Sequence, residues 1–148
     1  MNKDEETNVI GVTPDMIRKS RVLLNLQDLD NTLYYNILIQ NWKESLSVIH
    51  TPTVAWSCKN FSKLYQRPRG MVISLKDKGN LSVILKNCPF YETHVFFITD
   101  GSKVMSIGDW GVGGLPIVVA RKDIYVAAAG YNPWKTLPVI IDVGTDNE

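Results

Sequence analysis

The sequence predicts a mixed α/β fold in which N-terminal helices are followed by a partial α/β unit with a short sheet. Three observations predict it. Apolar residues recur at helical spacing through the first 67 positions. After Arg67-Pro68, short β-branched and aromatic runs, MVISL and HVFFIT, lie between turn residues. The last third then reads strand, glycine-rich loop, helix, strand. A length of 148 residues suits one domain, or one domain with a helical extension, and not two complete domains.

In chain order, residues 1–12 are polar and charged and read as a flexible, frayed terminus. Residues 13–67 form the helical region. Thr13-Pro14 is a cap and first-turn pair opening a short helix, with Met16, Ile17, Val22 and Leu23 as its apolar side. After Asn25 to Asp30, apolar residues at 33, 34, 37, 38 and 42 form one helical face, and Leu46 to Ile49 extend it or begin a second short helix. In a short chain this face, Leu33, Tyr34, Ile37, Leu38 and Trp42, is expected to be incompletely covered and to drive association. Thr51-Pro52 repeats the cap signal. Val54, Cys58, Phe61 and Tyr65 then predict a helix that Arg67-Pro68 stops.

Residues 68–148 form the α/β unit. MVISL and HVFFIT are its first strands, with LSVILKN a short helix between them. DGS is expected to turn the chain into a further strand, KVMSIG. A glycine loop follows, then the helix IVVARKDIYVAAA, ended by Gly130 and Pro133, and the buried strand LPVIIDV.

Composition excludes several classes. The 16 basic and 15 acidic side chains form no block of one sign, so nothing points to nucleic acid. No apolar run approaches the roughly 18 residues of a membrane span, and MNKDEETN is unlike a signal or transit peptide, so an intracellular, cytoplasmic chain is expected. Cys58 and Cys88 lack metal-site or disulfide spacing and read as free, buried thiols.

The chemistry concentrates in DGSKVMSIGDWGVGGLP, with four glycines between Gly108 and Gly114. A dinucleotide fingerprint needs a third glycine three residues after the second, and here Pro116 stands there; no P-loop lysine exists either. The spacing alone leaves two readings, a weak phosphate cradle or a tight turn packed closely against the following helix.

The block from Thr99 to Glu148 resembles the malic enzyme family, in which a TDG turn, a strand, a GDLG loop, a helix with an Ala/Gly-rich end and LPV-x-x-DVGT follow in that order. HTPTVAWSCKNFSKLYQRPRGMVISLKDKGN is similar to that family's YTPTVG helix, RRPRGLFIS strand and D-x-G turn, so the resemblance covers about residues 13 to 148. It implies a malic-enzyme N-terminal-domain fold and a reaction in which malate is oxidatively decarboxylated to pyruvate with NAD or NADP and Mg or Mn. It also implies that the glycine loop lines the malate pocket, with the metal carboxylates and the nucleotide domain lying beyond the point matching Glu148.

Three implied site positions are substituted. The family's base, a lysine on the helix after the loop, falls on Arg121; the tyrosine that helps protonate the enol falls on His50; the carboxylate-binding arginine after TDG falls on Lys103. A guanidinium does not deprotonate in proteins, so Arg121 cannot act as a base. An unperturbed imidazole titrates near pH 6.5 and can donate a proton, and a lysine keeps the charge of an arginine without its two-pronged geometry. Lys122 adjoins Arg121, but one residue turns about 100° around a helix, so it is not expected to point into the same space. Against these roles, His50, Lys103 and Arg121 are equally readable as a helix-entry residue and two solvated charges. Asp109 and Asp142 read as turn-capping carboxylates, and Trp42, Trp56, Trp110 and Trp134 as core or interface anchors.

The resulting expectation is a malic-enzyme N-terminal domain, isolated or truncated, inactive alone and binding neither nucleotide nor metal by itself. Two alternatives stand beside it: a dimerisation module that pairs with itself or a full-length malic enzyme, and a small dicarboxylate-binding domain using Lys103 and Arg121.

Overall fold

A computed structural model describes residues 9–88, 92–105 and 107–147. Of the segment expected to be frayed, residues 1–8 lie outside these, while Val9 to Val12 form a turn that leaves Val12 buried. Helix α1 (Pro14–Leu29) starts as the sequence predicts, with the Thr13 hydroxyl accepting from the Met16 N–H at 3.3 Å. It runs further than a short helix. Asp30 is the reason: its N–H closes α1 on the Leu26 carbonyl, and its carboxylate accepts from the Leu33 N–H to open α2 (Asn31–Gln40). Ile17 and Ser20 are the buried positions of α1, and Val22, placed on the apolar side from sequence, is 65% exposed instead.

Leu46 to Ile49 belong to a second short helix, α3 (Trp42–Ile49), rather than an extension of α2. Helix α4 (Thr53–Lys59) has Pro52 at its cap position and no side-chain cap bond, so Thr51 does not cap it. It also stops well before Arg67. Asn60 closes it, a single 3-10 turn covers Phe61–Lys63, and the chain then extends, leaving Tyr65 fully exposed. The apolar spacing there imitates a helix, but Val54, Cys58 and Phe61 pack at the main core and Tyr65 does not.

The helical face expected to lie open is mostly covered from within the chain. Tyr34 and Leu38 are 0% exposed and pack with Tyr35, Ile49 and Val126, leaving only Leu33 of that set exposed. The partner that covers them is α6 (Leu115–Ala129).

Strands β1 (Met71–Ser74), β2 (Val95–Thr99) and β3 (Thr136–Asp142) form one parallel sheet in the order β1-β3-β2, with Met71 beside Val139 and Val95 beside Thr136. Parallel strands need crossovers: α5 (Leu81–Lys86) lies on the connection from β1 to β2, which leaves room for β3 between them, and α6 on that from β2 to its neighbour β3. The expected strand KVMSIG is not one. Val104 and Gly108 bridge each other across a tight turn, so the segment pairs with itself instead of the sheet; Ser106 lies outside the described residues.

Helix α6 covers one sheet face, where Ile140 joins Val54, Cys58, Val104, Leu115 and Val118 in the main core. The helical region and the α/β unit therefore share this core. On the other face Leu137 and Val139 pack with Cys88, Met71 and Ile73, but Phe96 and Ile98 stand 48% and 58% exposed. Both cysteines are free and buried, and burial raises the Cys58 pKa to about 12. Trp110 packs at the main core as an anchor, whereas Trp134 is 61% exposed and is not a core residue.

Candidate functional site

His50 ends α3 and is held at the joint with α4 by its backbone: its N–H bonds the Leu46 carbonyl at 2.9 Å, and its own carbonyl receives the Val54 N–H at 2.8 Å. Its ring Nδ1 lies 3.1 Å from the Thr51 hydroxyl, while the buried Nε2 has no hydrogen-bond partner among the described residues. Burial first, and the Arg121 charge second, lower its pKa from the ordinary value.

The turn after β2 meets this joint. Thr51 donates to the Met105 sulfur at 3.4 Å, which ties the turn carrying Lys103 to the His50 segment. From sequence Thr51 reads only as a cap residue, since nothing local marks a hydroxyl as a tether across 54 positions. Lys103 itself is solvent-exposed, and no contact among the described residues joins its ammonium to His50 or Arg121.

The glycine loop is a packing device. Gly111–Gly114 form a 3-10 turn leading into α6, and Gly111, Gly113 and Gly114 are buried against protein. Gly101 of the TDG turn lies so close to it that a side-chain carbon there would stand 2.0 Å from the Gly111 carbonyl oxygen, and the Trp110 N–H bonds the Gly101 carbonyl at 3.0 Å. Such contact leaves no N–H cradle open to a pyrophosphate. Asp109 locks the arrangement, accepting from the Gly111 N–H at 3.0 Å and the Asp146 N–H at 2.8 Å; Asp142 likewise caps Gly144. These two carboxylates make the turn bonds expected of them.

On α6, Arg121 is exposed and acts electrostatically on His50, whereas Lys122 and Asp123 point into the protein, 7% and 2% exposed. Lys122 does not share the exposed side of the helix on which Arg121 lies. Its ammonium lies 2.8 Å from the Asp123 carboxylate and donates to the Tyr35 hydroxyl at 2.7 Å. Tyr34 and Tyr35 also donate to Asp123, at 2.9 and 2.6 Å, and Gln27 donates at 3.2 Å. Burial, then the negative charge of Asp123, push both tyrosine pKa values up, so these phenols stay protonated donors. This cluster was missed from sequence; its only signal is the Lys-Asp pair that follows Arg121 in a largely apolar helix.

No group of three His, Cys, Asp or Glu among the described residues is placed to hold a metal ion. No described helix is long and apolar enough to cross a membrane.

Known proteins match this sequence over nearly its whole length. NAD-dependent malic enzyme 2, mitochondrial, of Arabidopsis thaliana is 46% identical over 146 residues, 99% of this chain and 23% of its own. The 59 kDa isoform of NAD-dependent malic enzyme, mitochondrial, of Solanum tuberosum is also 46% identical, over 97% of this chain and 24% of its own. NAD-dependent malic enzyme 2 of Photobacterium profundum is 40% identical over 90% of this chain and 24% of its own. The chain thus spans about a quarter of the length of these relatives. The family profile described as malic enzyme, N-terminal domain, matches residues 27–148, and together with the helix-flanked parallel sheet this shows that the chain belongs to the malic enzyme N-terminal domain family.

Proposed function

We propose that this chain forms the malate-pocket wall of a malic enzyme and does not by itself oxidise malate. The observation that supports the reading is Arg121, an exposed residue of α6 whose positive charge, after burial, lowers the pKa of His50 at the α3–α4 joint. Malate oxidation removes the 2-hydroxyl proton as hydride leaves C2 for a nicotinamide, and the proton needs a base. A guanidinium does not supply one. His50, its pKa lowered, is mostly neutral at pH 7, so proton donation to an enol falls to a minority imidazolium and grows as pH falls. Lys103 offers a single-point charge to a substrate carboxylate.

The chain alone is proposed to bind neither a nicotinamide nucleotide nor a divalent metal, both belonging to the remaining length of a malic enzyme. In that company NAD is favoured over NADP by the names of the relatives, and a mitochondrial setting over the cytoplasm by the plant ones.

The test joins this chain to the remaining three quarters of an active NAD-dependent malic enzyme and follows NADH formation from malate. Restoring Arg121→Lys, His50→Tyr and Lys103→Arg together is expected to raise turnover by about 10²- to 10⁴-fold, the usual contribution of a positioned acid or base. Decarboxylation of supplied oxaloacetate should survive in both versions. Malate turnover by the unmodified chimera within about tenfold of the restored one would refute the reading.

Association is the second reading, favoured by the open sheet face at Phe96 and Ile98; the partner is a second copy or a full-length malic enzyme. A dicarboxylate held by Lys103 and Arg121 is the weaker alternative, supported only by the exposure of both cations.

A further inference from the structure

Helix α6 is pinned by one carboxylate. Asp123 receives donors from α1 (Gln27 Nε2, 3.2 Å), from α2 (Tyr34 and Tyr35 hydroxyls, 2.9 and 2.6 Å) and from its own neighbour (Lys122 Nζ, 2.8 Å). Apolar packing around Ile117, Val119 and Val126 keeps the helix against the core, but such packing is non-directional and permits small rotations. The three hydrogen bonds that reach this carboxylate from α1 and α2, at 2.6 to 3.2 Å, are directional and do not. Two residues correspond to about 200° around a helix, so whatever holds position 123 toward α1 and α2 turns position 121 to the opposite side. A rotation of about 20° would move a side-chain end about 5 Å from the axis by roughly 2 Å.

We propose that Asp123 is a positioning residue: by anchoring α6 to α1 and α2 it sets the rotation of the helix, and with it the side on which Arg121 is presented. The catalytic meaning of that rotation rests on the malate-pocket reading. The geometric statement does not, and it is tested on the whole chain without any activity.

The measurement is the imidazole titration of His50 by NMR, with His94 as internal reference, in the wild type, Asp123→Asn, Arg121→Gln and the double variant. Arg121→Gln removes a cation that disfavours the imidazolium, so the His50 pKa rises. Asp123→Asn is expected to raise it as well, by at least half as much, and to add nothing in the Arg121→Gln background. Deleting a negative charge would by itself move His50 the other way, so the sign separates repositioning from direct electrostatics. An unchanged or lowered value in folded Asp123→Asn, or an equal rise in both backgrounds, overturns the proposal. Should Asp123→Asn fail to fold, Tyr34→Phe and Tyr35→Phe each remove one anchor and keep the carboxylate. Smaller rises of the same sign are then expected, and no movement in either overturns it.

Discussion

Tyr35 and Asp123, 88 positions apart, share a 2.6 Å hydrogen bond from phenol to carboxylate, and the same phenol accepts from Lys122 at 2.7 Å. The cluster joins the helical half of the chain to α6. Asp123→Ala would leave the Lys122 ammonium, whose side chain is 9% exposed, without its counter-charge, and a loss of about 3–5 kcal/mol is expected. Lys122→Met leaves the carboxylate with three neutral donors and should cost less. Urea unfolding at pH 7 ranks the two, and the reverse order would mean that the neutral donors do not sustain the buried carboxylate.

His50 makes stability pH-dependent on the acid side. Its folded pKa is lowered, by burial and then by Arg121, from the 6.5 that applies to the unfolded chain. As pH falls below about 6.5 the unfolded state takes the proton first, so stability present above that value declines toward the folded pKa. His50→Gln should flatten the slope of the urea midpoint between about pH 7 and 5. An identical slope in the variant would show that other groups set it.

Gly101 and Gly79 both have positive φ, +75° and +91°, but only Gly101 meets an obstacle: a methyl carbon there would stand 2.0 Å from the Gly111 oxygen, whereas one at Gly79 would meet nothing within 4 Å. Gly79→Ala should therefore cost about 1 kcal/mol of backbone strain, and Gly101→Ala about 2 kcal/mol or more as the TDG turn separates from the glycine loop. Equal midpoints for the two variants would show that the loop yields freely.

Phe96 and Ile98 lie on a parallel sheet, a structure normally covered on both faces. Self-association is accordingly expected at tens of micromolar in sedimentation equilibrium, and Ile98→Lys should shift the chain toward monomer. A strictly monomeric wild type contradicts this. So does an Ile98→Lys variant that associates as before, which would point back to the exposed apolar residues of α1 and α2.

Local signals in the sequence determined much of the architecture. The Thr13-Pro14 cap, the three β-rich runs that became β1, β2 and β3, the missing third glycine and the order of the TDG, glycine-loop and DVGT segments were all legible, because each depends on neighbouring residues. Positions 50, 103 and 121 were singled out from the order of those same segments. Only the tertiary structure decided which apolar surfaces are covered: Tyr34 and Leu38 meet α6, while Phe96 and Ile98 stand largely open. It also decided that KVMSIG turns back on itself, that the chain after Asn60 is extended, and that Lys122 is committed to Tyr35 and Asp123. Periodicity shows that a side chain has an apolar or polar face, but its partner arrives from tens of positions away, and burial energy and hydrogen-bond satisfaction depend on that partner.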